Sequence, residues 1–326
     1  MLPFVSVLVA TLAVGAWQTP AAPASSAPAP KAEPAFSLPQ MTGLVEGIAF
    51  RPKTGAYYFG DVHLRCVWLR AADGTVTRFT ATDERLLGIF RVAVDEARGT
   101  LWASMGALEQ MQGFTPARQG AGGLAEFDLL TGQLRRVIAA PSDGTPHLLG
   151  DFVQLADGTI YATDTTSPVI WRLAPGGGAL EPLVQGGFRS LQGITLSGDG
   201  RGLLVTDYPV GVLYVDLATK AIRALAPPAG ADLRGLDTLL RTPAGAFVAI
   251  NNATARQRVL RLTVDSGVTA IATVDVLAAD PAMADATLGT LAGDAFVFIG
   301  DGGWGRFAPG KVDASPRAVP VLRVRP

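Results

Sequence analysis

Cysteine is almost absent. Cys66 is the only one in 326 residues, which excludes an intrachain disulfide, and its place in the apolar run CVWL reads as an inward strand position rather than a nucleophile. Histidine is nearly as scarce: His63 and His147 are the only two, and neither lies in a ligand-spaced motif, which argues against a histidine-built zinc centre. An excess of one charge is missing as well. The 27 basic and 28 acidic residues are dispersed and leave a net charge of −1, so neither a nucleic-acid face nor an acidic tail is expected, and small neutral or mildly charged molecules remain as partners. No nucleophile elbow, phosphate loop or dinucleotide fingerprint appears; the glycines at 176–178 and 302–303 follow strand patterns without opening helices. With no Ser-His-Asp arrangement, any hydrolysis would have to be assisted by a metal.

The N-terminal apolar segment, Phe4 to Trp17, is shorter than the roughly 20 residues a membrane-spanning helix needs. It ends in small residues, Val14 and Ala16, and residues 1–18 read as an export signal, although no Lys or Arg precedes Phe4. Residues 19–37 are rich in Ala, Pro and Ser and read as an extended tether. A periplasmic or secreted monomer with no stable membrane insertion after cleavage is the expectation.

The remainder, 38–326, is built from one repeated unit. Its clearest copy is GDFVQLADGTIYATDTTSPVIWRL, from Gly150 to Leu173, which reads strand, turn, strand, turn, strand. Five more copies start near Val45, Arg91, Leu191, Leu233 and Ala286, and a glycine precedes each second strand at 55, 99, 158, 200, 245 and 293. The resulting spacings are 44, 59, 42, 45 and 48. A period in the forties with four short strands per repeat predicts an all-β, six-bladed propeller around a central channel. The last copy lacks a fourth strand of its own, and Ala35 to Gln40 is expected to close the ring against Val319 to Val324, which would remove an exposed edge. The long spacing reflects an insertion at 105–123, expected to gate a ligand mouth.

In a propeller the starts of first strands and the ends of second strands share one face. The starts give Glu46, Asp151, Gln192 and Asp237, which differ from blade to blade and suit an asymmetric site; the ends give Asp61, Asp164, Asp207, Asn252 and Asp301. Because the latter recur in most copies, they suit local turn structure. His63, Gln112, Asp207, Asn252 and Asp301 are nevertheless candidates for the substrate mouth. Oxygens converging with no surrounding lysine point to one hard divalent cation, Ca²⁺ before Mg²⁺, with Mn²⁺ and Zn²⁺ as further possibilities.

Residues from about Leu38 to Arg325 resemble the SMP-30/gluconolactonase family, six-bladed propellers related to paraoxonase-type lactonases. The resemblance is carried by VEGIAFRPKTGAYYFGDVHLRCVWL, GDFVQLADGTIYATD, LQGITLSGDGRGLLVTDY, LRGLDTLL with AINN after it, and TLGTLAGDAFVFIGDGGWG. It implies a sugar-lactone hydrolase with one divalent cation, in which Glu46 is a ligand and Asp237 both ligand and general base. Two asparagine ligands of the family fall on Gly150 and Gln192. The glycine leaves three readings open: Asp151 substitutes, the cation is weakly held, or the chain binds a small molecule or partner protein without hydrolysing it.

Overall fold

The glycine before each second strand is the local device that makes the repeat. Gly55, Gly99, Gly158, Gly200, Gly245 and Gly293 all take positive φ, from +61° to +96°, a conformation that strains any residue carrying a Cβ. The computed structural model describes residues 30–253, 257–308 and 310–326. The expected export signal and most of the expected tether lie outside these residues.

The chain enters on β1 (Glu33–Met41). Blade one follows as β2 (Val45–Arg51), β3 (Ala56–Asp61), β4 (Cys66–Arg70) and β5 (Val76–Arg78). Blade two is β6 (Gly88–Asp95), β7 (Thr100–Gly106), β8 (Gly122–Asp128) and β9 (Leu134–Ala139); blade three is β10 (Leu149–Gln154), β11 (Ile160–Asp164), β12 (Val169–Leu173) and β13 (Glu181–Gln185). Blade four is β14 (Leu191–Leu196), β15 (Gly202–Asp207), β16 (Gly211–Asp216) and β17 (Ile222–Ala224); blade five is β18 (Leu236–Arg241), β19 (Phe247–Asn251), β20 (Arg258–Val264) and β21 (Ile271–Ala278). Blade six takes β22 (Gly289–Ala292), β23 (Ala295–Ile299) and β24 (Arg317–Val324), and its fourth strand is β1, in the order β1-β24-β23-β22. All six sheets have four strands, paired antiparallel throughout.

The ring thus closes between the two ends of the described chain. β1 begins at Glu33, inside the stretch whose composition reads as tether, because Phe36 has somewhere to pack: its ring lies 4.9 Å from that of Tyr57 and 6.2 Å from that of Phe59. Leu38 and Met41 are buried in the same cluster, between blades six and one. Each of the other five blade interfaces has its own apolar core, for example Trp102, Leu124, Phe152 and Trp171 between blades two and three. No blade has a complete core alone, as expected of a repeat that is stable only when stacked.

Near the axis the first strands crowd one another. A Cβ on Gly47 would sit 1.9 Å from the carbonyl oxygen of Phe90 in the next blade, so only glycine lets β2 and β6 approach this closely. The pairing of first with second strand is also interrupted near the start of the first strand in five blades, between Val45 and Gly47, Ile89 and Val92, Leu149 and Asp151, Leu191 and Ile194, and Leu236 and Thr238. Bulges of this kind re-aim side chains, and they determine what faces the channel mouth.

Candidate functional site at the channel mouth

Four of the bulged positions hold Glu46, Gly150, Gln192 and Asp237. All four line one cavity of about 390 Å³ at the mouth, together with Asp151, Thr165, Tyr208, Asn252 and Asp285 on its polar side and Phe90, Leu108, Leu148, Leu288 and Trp304 on its apolar side. Of the sequence-selected residues, Glu46, Asp151, Gln192, Asp237 and Asn252 are therefore brought together.

Each acceptor is oriented by a neighbour. Trp304 Nε1 donates to Glu46 Oε2 at 2.7 Å, and the indole is itself held because Asp285 Oδ2 accepts the backbone N–H groups of Gly303 and Trp304 at 2.9 and 2.6 Å. Asn252 Nδ2 donates to Asp237 Oδ2 at 2.7 Å and to the Ala286 carbonyl at 3.2 Å, while Tyr208 Oη donates to Asn252 Oδ1 at 2.8 Å. Both ends of the Asn252 amide are thus occupied, which fixes its orientation beside Asp237. Gln192 Nε2 donates to Ser190 Oγ at 3.3 Å, and its Oε1 lies 3.9 Å from the point a Cβ on Gly150 would occupy.

Asp151 differs. Its Oδ1 accepts its own following N–H, from Phe152, at 2.7 Å and lies 3.5 Å from Arg91 Nε. Arg91 is buried and donates to the Gly289 carbonyl at 2.8 Å, so a guanidinium stands inside the channel where the sequence suggested oxygens without a compensating cation. Asp151 Oδ2 is buried with no hydrogen-bond partner, and so is Thr165 Oγ1.

Burial and mutual repulsion push these acids upward. The Glu46 carboxyl is held well above the ordinary carboxylate range by burial, with the charges of Asp237 and Asp285 adding to it. Asp237 is pushed up to about 7, first by burial and then by Asp151 and Asp285, against the stabilising hydrogen bond from Asn252. Burial takes Asp151 to about 6 despite Arg91. Acids that hold protons more tightly folded than unfolded destabilise the native state as pH rises from the unfolded value near 4, and the full penalty is present above the folded value. In chelator, the protein is accordingly expected to melt several degrees higher at pH 5 than at pH 8; a melting temperature that climbs over that interval would contradict the cluster.

The remaining mouth candidates lie elsewhere. His63 is buried with Nδ1 2.6 Å from the Gln110 carbonyl and its ring against Phe307, centroids 4.5 Å apart. Gln112 is exposed, and its N–H donates to the His63 carbonyl at 2.8 Å. Asp207 accepts the N–H groups of Arg189 and Ser190 at 2.8 and 2.9 Å, a loop-organising role. Asp301 pairs with Arg317 at 3.2 Å. Asp61 and Asp164 show why the second-strand acids recur: each accepts backbone N–H groups and the indole of a tryptophan seven residues on, Trp68 at 3.0 Å and Trp171 at 3.2 Å.

The insertion is shorter than expected, residues 107–121, because β7 and β8 extend into it. Leu108 supplies cavity wall, Met111 is buried between blades one and two, and the pair of bonds to His63 pins the loop onto blade one. Asp285, Tyr208, Thr165 and Trp304 also line the mouth and carry no signal in the sequence that places them there. GDGGWG does contain the tryptophan, but nothing in the spacing says that its indole returns to Glu46.

The residues present suit a hard cation only in part through carboxylates. Among the described residues no three His, Cys, Asp or Glu side chains are placed to hold one metal ion together, so a cation here would draw on neutral oxygens beside Glu46 and Asp237. The Gln192 side-chain carbonyl and the orphaned Thr165 hydroxyl are such oxygens.

No protein-family model and no curated protein sequence matches the chain. Solved structures do. A gluconolactonase from Xanthomonas campestris is 17% identical, with a TM-score of 0.57 over 92% of this chain and 99% of that one. The PQQ-bound aldose sugar dehydrogenase of Streptomyces coelicolor is 13% identical, with a TM-score of 0.61 over 90% and 98%. Virginiamycin B lyase from Staphylococcus aureus is 12% identical, with a TM-score of 0.58 over 81% and 80%. At these identities the likeness shows the fold, a six-bladed propeller whose structural neighbours include gluconolactonase-like proteins.

Proposed function

We propose that the protein is an exported, monomeric, divalent-cation-dependent lactonase of the SMP-30/gluconolactonase type, acting on a small sugar-derived or aliphatic lactone. The observation that carries this reading is the ring of bulged first-strand positions that gathers Glu46, Gln192 and Asp237 at one mouth. Its opposite wall of Phe90, Leu108, Leu148, Leu288 and Trp304 suits the carbon skeleton of a small ring.

Glu46, Gln192 and Asp237 would hold the cation, which when bound supplies polarisation of the lactone carbonyl. Asp237 takes a proton from water as the water oxygen bonds to the carbonyl carbon. The ring C–O bond then breaks, and the departing oxygen takes up a proton to give the hydroxy acid. Asn252 and Tyr208 keep Asp237 in position, and Trp304 keeps Glu46 turned to the cavity.

Screening lactones with Ca²⁺, Mg²⁺, Mn²⁺ and Zn²⁺ is expected to reveal turnover that EDTA abolishes. Turnover indifferent to EDTA would remove the cation from the chemistry, whereas absence of turnover with all four cations would leave the second reading, a propeller that binds a small molecule or partner protein without hydrolysing it. Gly150 favours that alternative, since it brings no oxygen to a position where the family has a ligand.

A further inference from the structure

The gap at Gly150 has a filler. The bulge between Leu149 and Asp151 leaves Gly150 at the ring position equivalent to Glu46, Gln192 and Asp237. A Cβ built there would lie 2.5 Å from Thr165 Oγ1 and 3.9 Å from Gln192 Oε1. The hydroxyl of Thr165 therefore occupies the space into which a side chain at 150 would project. Thr165 follows directly on β11, tied down where its N–H donates to the Leu148 carbonyl at 2.8 Å. Thr165 lines the cavity, and its Oγ1 is buried with no hydrogen-bond partner. A buried hydroxyl left without a partner is destabilising unless something outside the chain satisfies it.

Asp151 is the competing candidate. It sits one residue past the bulge, and its Oδ2 is likewise buried without a partner, but its Oδ1 accepts the Phe152 N–H and lies 3.5 Å from Arg91 Nε. It already has a countercharge, and a cation beside it would be added next to a buried guanidinium.

We propose that Thr165 supplies the oxygen that the ring lacks at Gly150, completing with Glu46, Gln192 and Asp237 a divalent-cation site of two carboxylates and two neutral oxygens, while Asp151 serves as the buried partner of Arg91. The inference rests on the cation assigned under the proposed function. Two carboxylates and neutral oxygens make a donor set suited to Ca²⁺ or Mg²⁺. The glycine and the threonine are then one linked exchange, since Oγ1 and a side chain at 150 cannot share the same space.

Thermal shift titrations with Ca²⁺ and with Mg²⁺ after chelator treatment test this without reference to turnover. The wild-type protein is expected to be stabilised by at least one of the two cations, because a ligand held only by the folded state raises its melting temperature. Thr165→Val should melt in chelator no lower than wild type, which establishes folding, and should bind the cation about 10- to 100-fold more weakly. Thr165→Ser should titrate like wild type. Gly150→Asn alone should weaken binding through collision with Oγ1, and Gly150→Asn combined with Thr165→Ala should recover it. If Thr165→Val titrates like wild type while Glu46→Gln and Asp237→Asn lose the shift, or if Asp151→Asn loses it and Thr165→Val does not, the role of Thr165 is overturned and the cation reading stands. Wild-type protein unresponsive to both cations overturns the two together.

Discussion

Asp237→Asn is expected to lower kcat/KM for lactone hydrolysis by about 10³-fold and, in chelator at pH 8, to raise the melting temperature. The two effects share one cause. Asp237 is half-buried beside Glu46, Asp151 and Asp285, and its ionised form is costly enough to lift its pKa to about 7. An asparagine keeps an oxygen to accept the Asn252 Nδ2 bond, now 2.7 Å long, but carries no charge, so repulsion within the cluster falls. It also accepts no proton from water and is a poorer ligand. Loss of activity with gain of cation-free stability is the signature of a residue kept for function against the preference of the fold. A variant that stays fully active removes Asp237 from the chemistry, whereas one that is inactive and also less stable assigns it a structural part. The stabilisation should fade at pH 5, where the wild-type carboxyl is already protonated.

Deleting the chain through Met41 is expected to abolish cooperative folding. The deletion removes β1 and leaves β24 as an open edge running Arg317–Val324, a template for association with other chains. It also uncovers the cluster of Val45, Ile48, Phe59, Val297, Ile299 and Val321 on which Leu38 and Met41 pack. Leu38 is fully buried, and Leu38→Ala alone should cost about 2–5 kcal/mol, a large part of the roughly 5–15 kcal/mol by which domains are stable. The loss of a whole strand exceeds that margin. Circular dichroism and size-exclusion chromatography would show it as lost β signal or aggregation; a deleted chain that remains monomeric and melts with the wild-type midpoint would mean the ring does not depend on its closure.

The blade repeat was legible because its turns need glycine at a fixed place, and the six glycines that mark the period all adopt positive φ. The closing strand was legible because the last repeat lacked a partner and an apolar stretch at the other end supplied one. Asp207 and Asp301 illustrate the opposite case: they sit at the expected end of the blade, yet one is consumed by backbone N–H groups and the other by Arg317. Position along a strand says which end of the channel a residue occupies, and hydrogen bonding decides whether it is available there. Arg91 was unreadable for a related reason, since nothing local distinguishes an arginine that enters the channel from one that lies on a surface.

Glu46, Gln192 and Asp237 were found from repeat alignment, and the gap at Gly150 from the resemblance to the SMP-30/gluconolactonase family. What fills that gap was not. Thr165 lies 15 positions further along, on the neighbouring strand's turn, and reaches Gly150 only because antiparallel pairing brings Leu149 opposite Asp164 and a bulge turns the intervening backbone toward the mouth. Turn chemistry and alternation of apolar residues act over neighbouring positions, so the propeller, its six blades and the acids at one end of its channel can be read along the chain. Which oxygens line one cavity, which are already paired and which remain orphaned follow from bulges and from contacts between blades, and no short-range pattern encodes those.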